Sequence, residues 1–333
     1  MVRLTIIGLG LIGGSLGLAL KRAGLTNLEV AGFDIEWGVA PRARRNGVID
    51  RDARDLESAV EGASLVVIAT PISHVAKVLE AIATLLGEQT VVTDTASTKR
   101  DIVHAAERLL PEHVSFVGGH PVAGKEHAGL DAADAALFDG RAWAVTPSVH
   151  ATEKAIKTVE NMIALAGAQP VLIDAAEHDS YMAALSHLPL VVSTALFSLA
   201  KSSSAWEDLA VLAGPGFRDI TRLASTDPAL SSDIVSTNRD NLLHWLDRMI
   251  EELRSARAMI ADAEQGERLA AMFKSVQEAR DAFIERPPVR KAPETEKERT
   301  SAGERFMSFM MGEYLMRGAK KAEEYIRERE ERR

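Results

Sequence analysis

The first 34 residues constrain the fold of this chain more than any other segment. An apolar run over residues 2–7 is typical of a buried strand, and residues 8–13 then read Gly-Leu-Gly-Leu-Ile-Gly. An apolar-periodic helix and a second strand ending at Asp34 follow. A G-x-G-x-x-G motif alone is weak evidence, but here it lies between a strand and a helix, with an acid about 20 residues further on. This context predicts a βαβ unit that binds a dinucleotide.

Each glycine of this loop has its own physical role. Gly8 permits the tight turn, Gly10 lets the backbone approach a pyrophosphate, and Gly13 lets the helix pack closely on the strand. Leu11 and Ile12 lead into the helix, whose N-terminus offers free N–H groups and a partial positive charge to phosphates. We therefore predict that all five residues contact the cofactor.

Asp34 predicts which dinucleotide binds. Its carboxylate would accept hydrogen bonds from the ribose hydroxyls and repel a 2′-phosphate, so NAD is favoured over NADP. The nearby Arg42, Arg44 and Arg45 are cations that would weaken this preference. NAD is the predicted cofactor, with strict selectivity left open.

Composition excludes several classes of function. The chain has 333 residues, enough for two domains, and a formal net charge of −9 without a large basic block, which argues against nucleic acid as a partner. It has no cysteine, so a disulfide framework and a thiolate metal site are impossible, and we expect no metal. The first strand leaves no room for a signal peptide, and we find no apolar run of spanning length. We expect a cytoplasmic protein without membrane contact.

Strands and helices alternate up to about residue 150. Strand-like runs at 65–69, 90–93, 114–117 and 142–146 are separated by turns and helix-periodic segments. This pattern predicts an α/β fold, a Rossmann-type doubly wound and mostly parallel sheet. Ligands of such sheets lie at the carboxyl ends of the strands. Thr70 and Pro71 lie at one such end, and we predict that they line the cofactor site.

The pattern changes near residue 151. One helix and a short strand are followed by long apolar-periodic segments over 175–201, 216–224, 228–236, 239–262 and 267–284. We predict a dinucleotide-binding domain over residues 1–150 and an all-α domain over 151–286. Residues 287–333 are predicted to be a charged linker and a helical C-terminal extension.

Two polar segments follow strands of the predicted sheet. Ser97 lies near a helix start, so its more ordinary role is an N-cap or first-turn hydroxyl. His120 lies between two glycines and Pro121, which provide no packing shell, so we expect it outside the core. A neutral imidazole there can accept a proton from a substrate hydroxyl.

The predicted helical domain holds two further candidates for a substrate site. A Ser-His-Leu-Pro run interrupts an apolar helix, and a kink there would aim Ser186 and His187 at one cleft. Gly216 opens a helix with Arg218 and Arg222 on one face. A surface ion pair is the ordinary role of Arg218, whereas Arg222, deeper in an apolar segment, is the better candidate for clamping a carboxylate.

Five blocks, taken in order, resemble the prephenate dehydrogenase family. They are the glycine fingerprint, D-x-x-S-x-K at 94–99, G-G-H-P-x-A-G-x-E at 118–126, S-H-L-P at 186–189 and G-F-R-D-x-T-R at 216–222. The family includes the prephenate, arogenate and cyclohexadienyl dehydrogenases of tyrosine biosynthesis, and the resemblance covers residues 2–284. It implies a Rossmann domain followed by an all-α substrate and dimerisation domain, and therefore a homodimer.

The resemblance also implies a reaction, the NAD-dependent oxidative decarboxylation of prephenate to 4-hydroxyphenylpyruvate. His120 would accept the hydrogen bond of the substrate hydroxyl, and Ser97 would orient that hydroxyl, the imidazole and the nicotinamide. Arg222 would hold a substrate carboxylate. These three are the residues on which we expect the chemistry to depend.

Further positions of the matching blocks complete the implied substrate site. Ser186, His187 and Gly216 belong to it by the resemblance. Glu126 would stand at its entrance and gate access through an ion pair, although a helix-start acid is an equally ordinary role for this residue.

Two positions depart from the family pattern and leave the substrate open. Family members often read S-H-L-P-H where this chain has Leu190, and many carry a tryptophan where this chain has Ser231. Both changes would fall on the side-chain end of the substrate pocket. Arogenate, or both substrates, is therefore as plausible as prephenate.

Two other classes of function fit the sequence less well. A 3-hydroxyacid dehydrogenase on the same plan would need a catalytic lysine, and the nearest candidate, Lys201, lies in a serine-rich turn. A non-catalytic NAD-binding sensor would have no need for Ser97, His120 and Arg222 together. Both alternatives are therefore less favoured.

Overall fold

A computed structural model describes residues 2–125 and 127–286 of the chain. These residues form two compact units, one ending at Arg239 and the other beginning at Asp240. Glu126 and the predicted linker and extension over 287–333 lie outside the described residues.

The first unit is built on one sheet of eight strands in the order β3-β2-β1-β4-β5-β6-β7-β8. The strands are β1 (Val2–Ile7), β2 (Leu28–Phe33), β3 (Arg51–Asp52), β4 (Leu65–Ile68), β5 (Val91–Asp94), β6 (Ser115–Pro121), β7 (Ala142–Pro147) and β8 (Gln169–Leu172). All neighbours pair in parallel except β6 and β7, which are antiparallel. The predicted Rossmann-type, mostly parallel sheet is confirmed.

Helices cover both faces of this sheet. They are α1 (Leu11–Arg22), α2 (Val39–Arg45), α3 (Leu56–Val60), α4 (Ile72–Ile82), α5 (Arg100–Leu109) and α6 (Glu153–Leu165). Successive side chains of a strand point to opposite faces, so Leu65 and Val67 join one hydrophobic core while Val66 and Ile68 join the other. α1 and α6 contribute to the first core, and α4 and α5 contribute to the second.

The sheet continues beyond the domain boundary that we predicted at residue 150. β8 pairs in parallel with β7, with Val145 opposite Leu172. The helix α6 connects these two strands and packs on the sheet. The change to all-α structure therefore follows Leu172, because a short crossover unit adds one more strand to the sheet edge.

The remaining elements are helical. The first unit continues with α7 (Ala175–Met182), a π-helical turn over Ala183–His187, α8 (Leu188–Lys201), α9 (Trp206–Val211), α10 (Pro215–Thr221), a 3-10 turn over Arg222–Ser225 and α11 (Pro228–Thr237). Two long helices follow, α12 (Arg239–Ala261) and α13 (Gly266–Glu285), and they make up the second unit apart from the first residue of α12.

The continuous helical segment over Ala175–Lys201 corrects one expectation. Its 27 residues have a mean hydropathy of 1.6 in the most apolar window, enough by length and composition to cross a membrane. The expectation that no apolar run reaches spanning length was therefore wrong. A core helix of a globular protein meets the same criteria. In this segment His178, Asp179 and His187 are buried in hydrogen bonds within the first unit, although only 22% of the most apolar window is buried.

Candidate active site

The glycine loop between β1 and α1 depends on positions where a side chain has no room. Gly8 has a φ of 96°, and a Cβ atom there would lie 2.5 Å from the carbonyl oxygen of Ala69. A Cβ atom on Gly13 would lie 1.9 Å from the carbonyl oxygen of Gly8. The loop is therefore pressed between α1 and the end of β4, where the half-buried Thr70 and the exposed Pro71 follow.

Gly10 differs from these two glycines in what surrounds it. A Cβ atom on Gly10 would meet no atom within 4 Å, so no packing within the described residues requires a glycine there. Helix α1 begins at the next residues, Leu11 and Ile12, and has no side-chain cap at its N-terminus. The open space and the uncapped N–H groups fit a phosphate group that approaches the backbone at this point.

Asp34 follows β2 and uses one carboxylate oxygen to hold the glycine loop and the other to hold the turn after β2. Oδ2 accepts a hydrogen bond from the N–H of Leu9 at 2.7 Å, and Oδ1 accepts one from the N–H of Glu36 at 2.9 Å. Each oxygen keeps a second acceptor position for a ribose hydroxyl. Of the arginines that could recruit a 2′-phosphate, Arg42 pairs with Asp131 and Arg44 pairs with Asp52.

His120 lies near the carboxyl end of β6, at the same sheet edge as the glycine loop. We expected His120 to lie outside the core without a packing shell. This expectation was wrong, since His120 is only 8% exposed. The glycine before it allows the backbone of β5 to approach closely. A Cβ atom on Gly119 would lie only 2.6 Å from the carbonyl oxygen of Asp94. Neighbouring elements thus provide the shell that the adjacent residues do not.

A chain of three side chains links His120 to helix α7. The Nδ1 atom of His120 lies 2.9 Å from Nε2 of His178, and Nδ1 of His178 lies 2.8 Å from Oδ1 of Asp179. His178 and Asp179 are 2% and 1% exposed. Our reading of the sequence missed both residues. The signal for them was weak, since both belong to a polar run over residues 177–180 and not to the apolar part of the helical segment.

Asp179 also caps helix α5. Its two carboxylate oxygens accept hydrogen bonds from the N–H groups of Lys99 at 2.7 Å and Arg100 at 2.9 Å. The expected capping role of Ser97 was therefore wrong, because α5 begins at Arg100 and its cap comes from α7. Ser97 is half-buried in the loop after β5, the strand next to β6, so its hydroxyl is not used in the helix cap.

A buried ion pair ties this loop to the strand of His120. The Nζ atom of Lys99 pairs with Asp94 and donates a hydrogen bond to the carbonyl oxygen of Gly119 at 2.7 Å. Asp94 also accepts a hydrogen bond from the N–H of Gly119 at 3.1 Å. Lys99 and Asp94 are both 0% exposed, so the ends of β5 and β6 are held in one register.

These surroundings keep His120 uncharged. Burial holds the pKa of His120 well below its ordinary value, and the nearby His178, Lys99 and His187 lower it further. A neutral imidazole has one nitrogen that accepts a hydrogen bond. His120 therefore meets the main requirement for a group that accepts a hydrogen bond from a substrate hydroxyl.

Ser186 and His187 do not face one cleft, and that prediction was wrong. Ser186 is exposed, whereas His187 is 1% exposed and lies 3.0 Å through Nδ1 from the Nδ2 atom of Asn238. The helix is not broken at Pro189, because this residue lies in the first turn of α8, directly after a π-helical turn. Burial lowers the pKa of His187 to about 4.

The arginine block lies at the surface of the first unit. Gly216 and Arg218 are exposed on α10, and Arg222 is exposed at the start of the following 3-10 turn. The expectation that Arg222 lies deep in an apolar segment was wrong, because α10 ends at Thr221. An exposed guanidinium can still receive a carboxylate, so its role in substrate binding stays a prediction.

The two departures from the family pattern lie together. Leu190 and Ser231 line one pocket of about 520 Å³ between α8 and α11, together with Thr194 and Val235. Leu190 is buried in the second core, with Ala96 and Ile234 among the members of that cluster. His120 does not line this pocket. The predicted gate residue, Glu126, lies outside the described residues.

Family models match both parts of the chain. The nucleotide-binding domain of prephenate dehydrogenase matches residues 16–172, and the dimerization domain of the same family matches residues 174–275. The prephenate dehydrogenase of Bacillus subtilis is 35% identical over 280 residues, which are 84% of this chain and 75% of that protein. The chain belongs to the prephenate dehydrogenase family.

Solved structures of two relatives extend this result to the fold. The prephenate dehydrogenase of A. aeolicus, in complex with hydroxyphenyl propionate and NAD+, has a TM-score of 0.79 and 28% identity over 85% of this chain and 98% of that one. The arogenate dehydrogenase of Synechocystis has a TM-score of 0.73 and 27% identity over 85% of this chain and all of that one, 100%. The matched nucleotide-binding domain and the NAD+ complex of the relative support the predicted NAD cofactor of this dehydrogenase.

Proposed function

We propose that this chain catalyses the NAD-dependent oxidative decarboxylation of prephenate to 4-hydroxyphenylpyruvate. The observation that carries the proposal is a buried, neutral His120 at the carboxyl edge of the sheet that also holds the glycine loop. Cofactor and base would thus meet at one edge of a single sheet, where a doubly wound fold binds its ligands.

The bonds that change can be assigned on this basis. When bound, NAD+ supplies the acceptor for the hydride that leaves the ring carbon bearing the hydroxyl. The bond between the ring and its carboxylate breaks, its electron pair completes the aromatic ring, and carbon dioxide leaves. The hydroxyl hydrogen is retained in the product phenol. His120 would accept a hydrogen bond from this hydroxyl and stabilise the positive character that develops there during hydride loss.

The other predicted residues would place the substrate. Ser97 lies in the loop after β5, beside the strand of His120, and its hydroxyl would orient the substrate hydroxyl. Arg222 would hold one substrate carboxylate, since an exposed guanidinium can pair with a carboxylate in bidentate fashion. Holding the reacting carbon and the base in fixed positions lowers the entropic part of the barrier.

Arogenate is the second candidate substrate. It differs from prephenate in carrying an amino acid side chain in place of a keto acid. Leu190 and Ser231 remove a histidine and a tryptophan that many family members carry, and one structural relative is an arogenate dehydrogenase. We also propose a homodimer, because the dimerization model matches residues 174–275.

The test is initial NADH formation by the purified full-length protein with NAD+ and either prephenate or arogenate. We expect turnover with prephenate, and the ratio of kcat/KM for the two substrates assigns the preference. A parallel series with NADP+ measures cofactor selectivity. Absence of turnover with both substrates, in protein that still binds NAD+, would overturn the proposal.

A further inference from the structure

The order of hydrogen bonds around His178 determines where the hydrogens lie. The carboxylate of Asp179 is an acceptor, already receiving the N–H groups of Lys99 and Arg100, so Nδ1 of His178 donates to it. When His178 is neutral, its Nε2 atom is then bare. Because this atom lies 2.9 Å from Nδ1 of His120, the hydrogen between them belongs to His120 in that state.

We propose that His178 is a positioning residue that fixes His120 as the Nδ1–H tautomer and so leaves its Nε2 atom bare for the substrate hydroxyl. The proposal rests on the proposed function in one respect only, the binding of the substrate hydroxyl to Nε2 of His120. With His178 neutral, the tautomer itself follows from the donors and acceptors of the three side chains.

The opposite tautomer would be costly at this position. With hydrogen on Nε2 of His120, the lone pairs of Nδ1 and of the His178 Nε2 atom would face each other across 2.9 Å. Both residues are buried, so water cannot separate the two acceptors, and the hydrogen bond between the two rings would be lost.

The charged and titratable groups near the pair keep His120 neutral, as the proposed tautomer requires. Lys99 and His187 both act to lower the pKa of His120, and Asp179 holds the far nitrogen of His178. Asp94 is engaged by Lys99 and by backbone N–H groups. Among the described residues, Asp179 is thus the acid that contacts the histidine pair directly.

Tautomers can be read without turnover. In full-length protein labelled with 15N-histidine, two-bond ¹H–15N spectra show which ring nitrogen carries hydrogen, and His120→Asn assigns the signals. We expect wild-type His120 to carry hydrogen on Nδ1. Hydrogen on Nε2 in the wild type would overturn the proposal, whatever the variants do.

Two variants of His178 separate positioning from mere packing. In His178→Leu we expect His120 to lose the pure Nδ1–H form, and kcat to fall about 100-fold with the NAD+ dissociation constant unchanged. In His178→Gln, the amide N–H can donate to Asp179 and the carbonyl can accept from His120. We therefore expect this variant to keep the Nδ1–H signal and to recover most of the lost kcat.

Thr158→Val is the matched control for the loss of a buried hydrogen bond. The Thr158 hydroxyl is buried on α6 and donates to the carbonyl oxygen of Lys154 at 2.9 Å, outside the histidine chain. It should change neither the tautomer nor kcat. A His178→Leu variant with the native tautomer and wild-type kcat would overturn the inference. Failure of the proposed function can be distinguished from failure of this inference. In the first case wild-type protein would be inactive with both substrates, and the spectra would still show which tautomer His120 adopts.

Discussion

The two ends of the candidate active site are built in opposite ways. The cofactor end is a stretch of backbone, in which Gly8, Gly10 and Gly13 leave room for close contacts and Asp34 secures the turn from the next strand. The catalytic end is a set of side chains from distant parts of the chain, since His120 and His178 are 58 residues apart. One end can be recognised in a short motif, and the other exists only after folding.

Substitutions at the two ends should therefore have different effects. A side chain added in the glycine loop acts through steric fit, so it should weaken cofactor binding and stability together wherever protein atoms already occupy its position. A change in the histidine chain acts through hydrogen bonds in a dry environment, so it should alter the chemical step while cofactor binding persists.

The largest effect is expected for His120→Asn. Removing the group that accepts the substrate hydroxyl's hydrogen bond should lower kcat about 1,000-fold, within the range for loss of a general acid–base group. NAD+ binding, measured by calorimetry, should be unchanged. His104→Asn makes the same substitution at an exposed histidine of α5 and should be neutral. Equal turnover of wild type and His120→Asn would show that His120 has no catalytic role.

The glycine loop offers a matched pair of variants. Gly13→Ala places a methyl group 1.9 Å from a backbone oxygen, so we expect it to lower the free energy of unfolding and NAD+ affinity together. The expected destabilisation is about 3 kcal/mol, as for an overpacked core site. Gly10→Ala meets no protein atom within 4 Å, so it should keep the stability and still weaken NAD+ binding. If Gly10→Ala bound NAD+ normally, the pyrophosphate would not approach the loop there.

Stability should fall as the pH is lowered below 6.5. His187 has a folded-state pKa of about 4 against an unfolded value near 6.5, so between these values the unfolded chain binds a proton that the folded chain does not. From pH 6.5 to pH 5 this group alone should lower the free energy of unfolding by about 2 kcal/mol. The lowered pKa of His120 acts in the same direction. Urea titrations at both pH values should show a smaller loss in His187→Gln than in wild type.

The smallest effect is expected for Asp34→Asn. The amide has one acceptor oxygen in place of two, so the N–H of Leu9 or of Glu36 loses its partner. We expect NAD+ binding to weaken about tenfold, in line with one lost hydrogen bond to a charged group, and the preference over NADP+ to shrink. Asp55→Asn, which alters the capping acid of α3, is the control and should leave the NAD+ dissociation constant unchanged. Unaltered cofactor selectivity in Asp34→Asn would remove this residue from the discrimination.

The accuracy of our sequence-based predictions follows the same division. The βαβ unit, the strands and the parallel sheet could be predicted, because apolar periodicity and glycine spacing are properties of neighbouring residues. The burial of His120, the exposure of Arg222 and the cap of α5 were predicted wrongly. In each case the deciding factor is tertiary structure, as when Asp179 on α7 caps a helix that begins at Arg100.

The sequence by itself determined the family, the Rossmann-type sheet and the glycine loop, because each depends on residues close together in the chain. Only the tertiary structure decided that His120 is buried, that His178 and Asp179 stand behind it, and that Ser186 and His187 face different surroundings. The physical reason is that burial and hydrogen-bond partnership are relations between distant residues. The pKa of a histidine, and the nitrogen that carries its hydrogen, are determined by those relations.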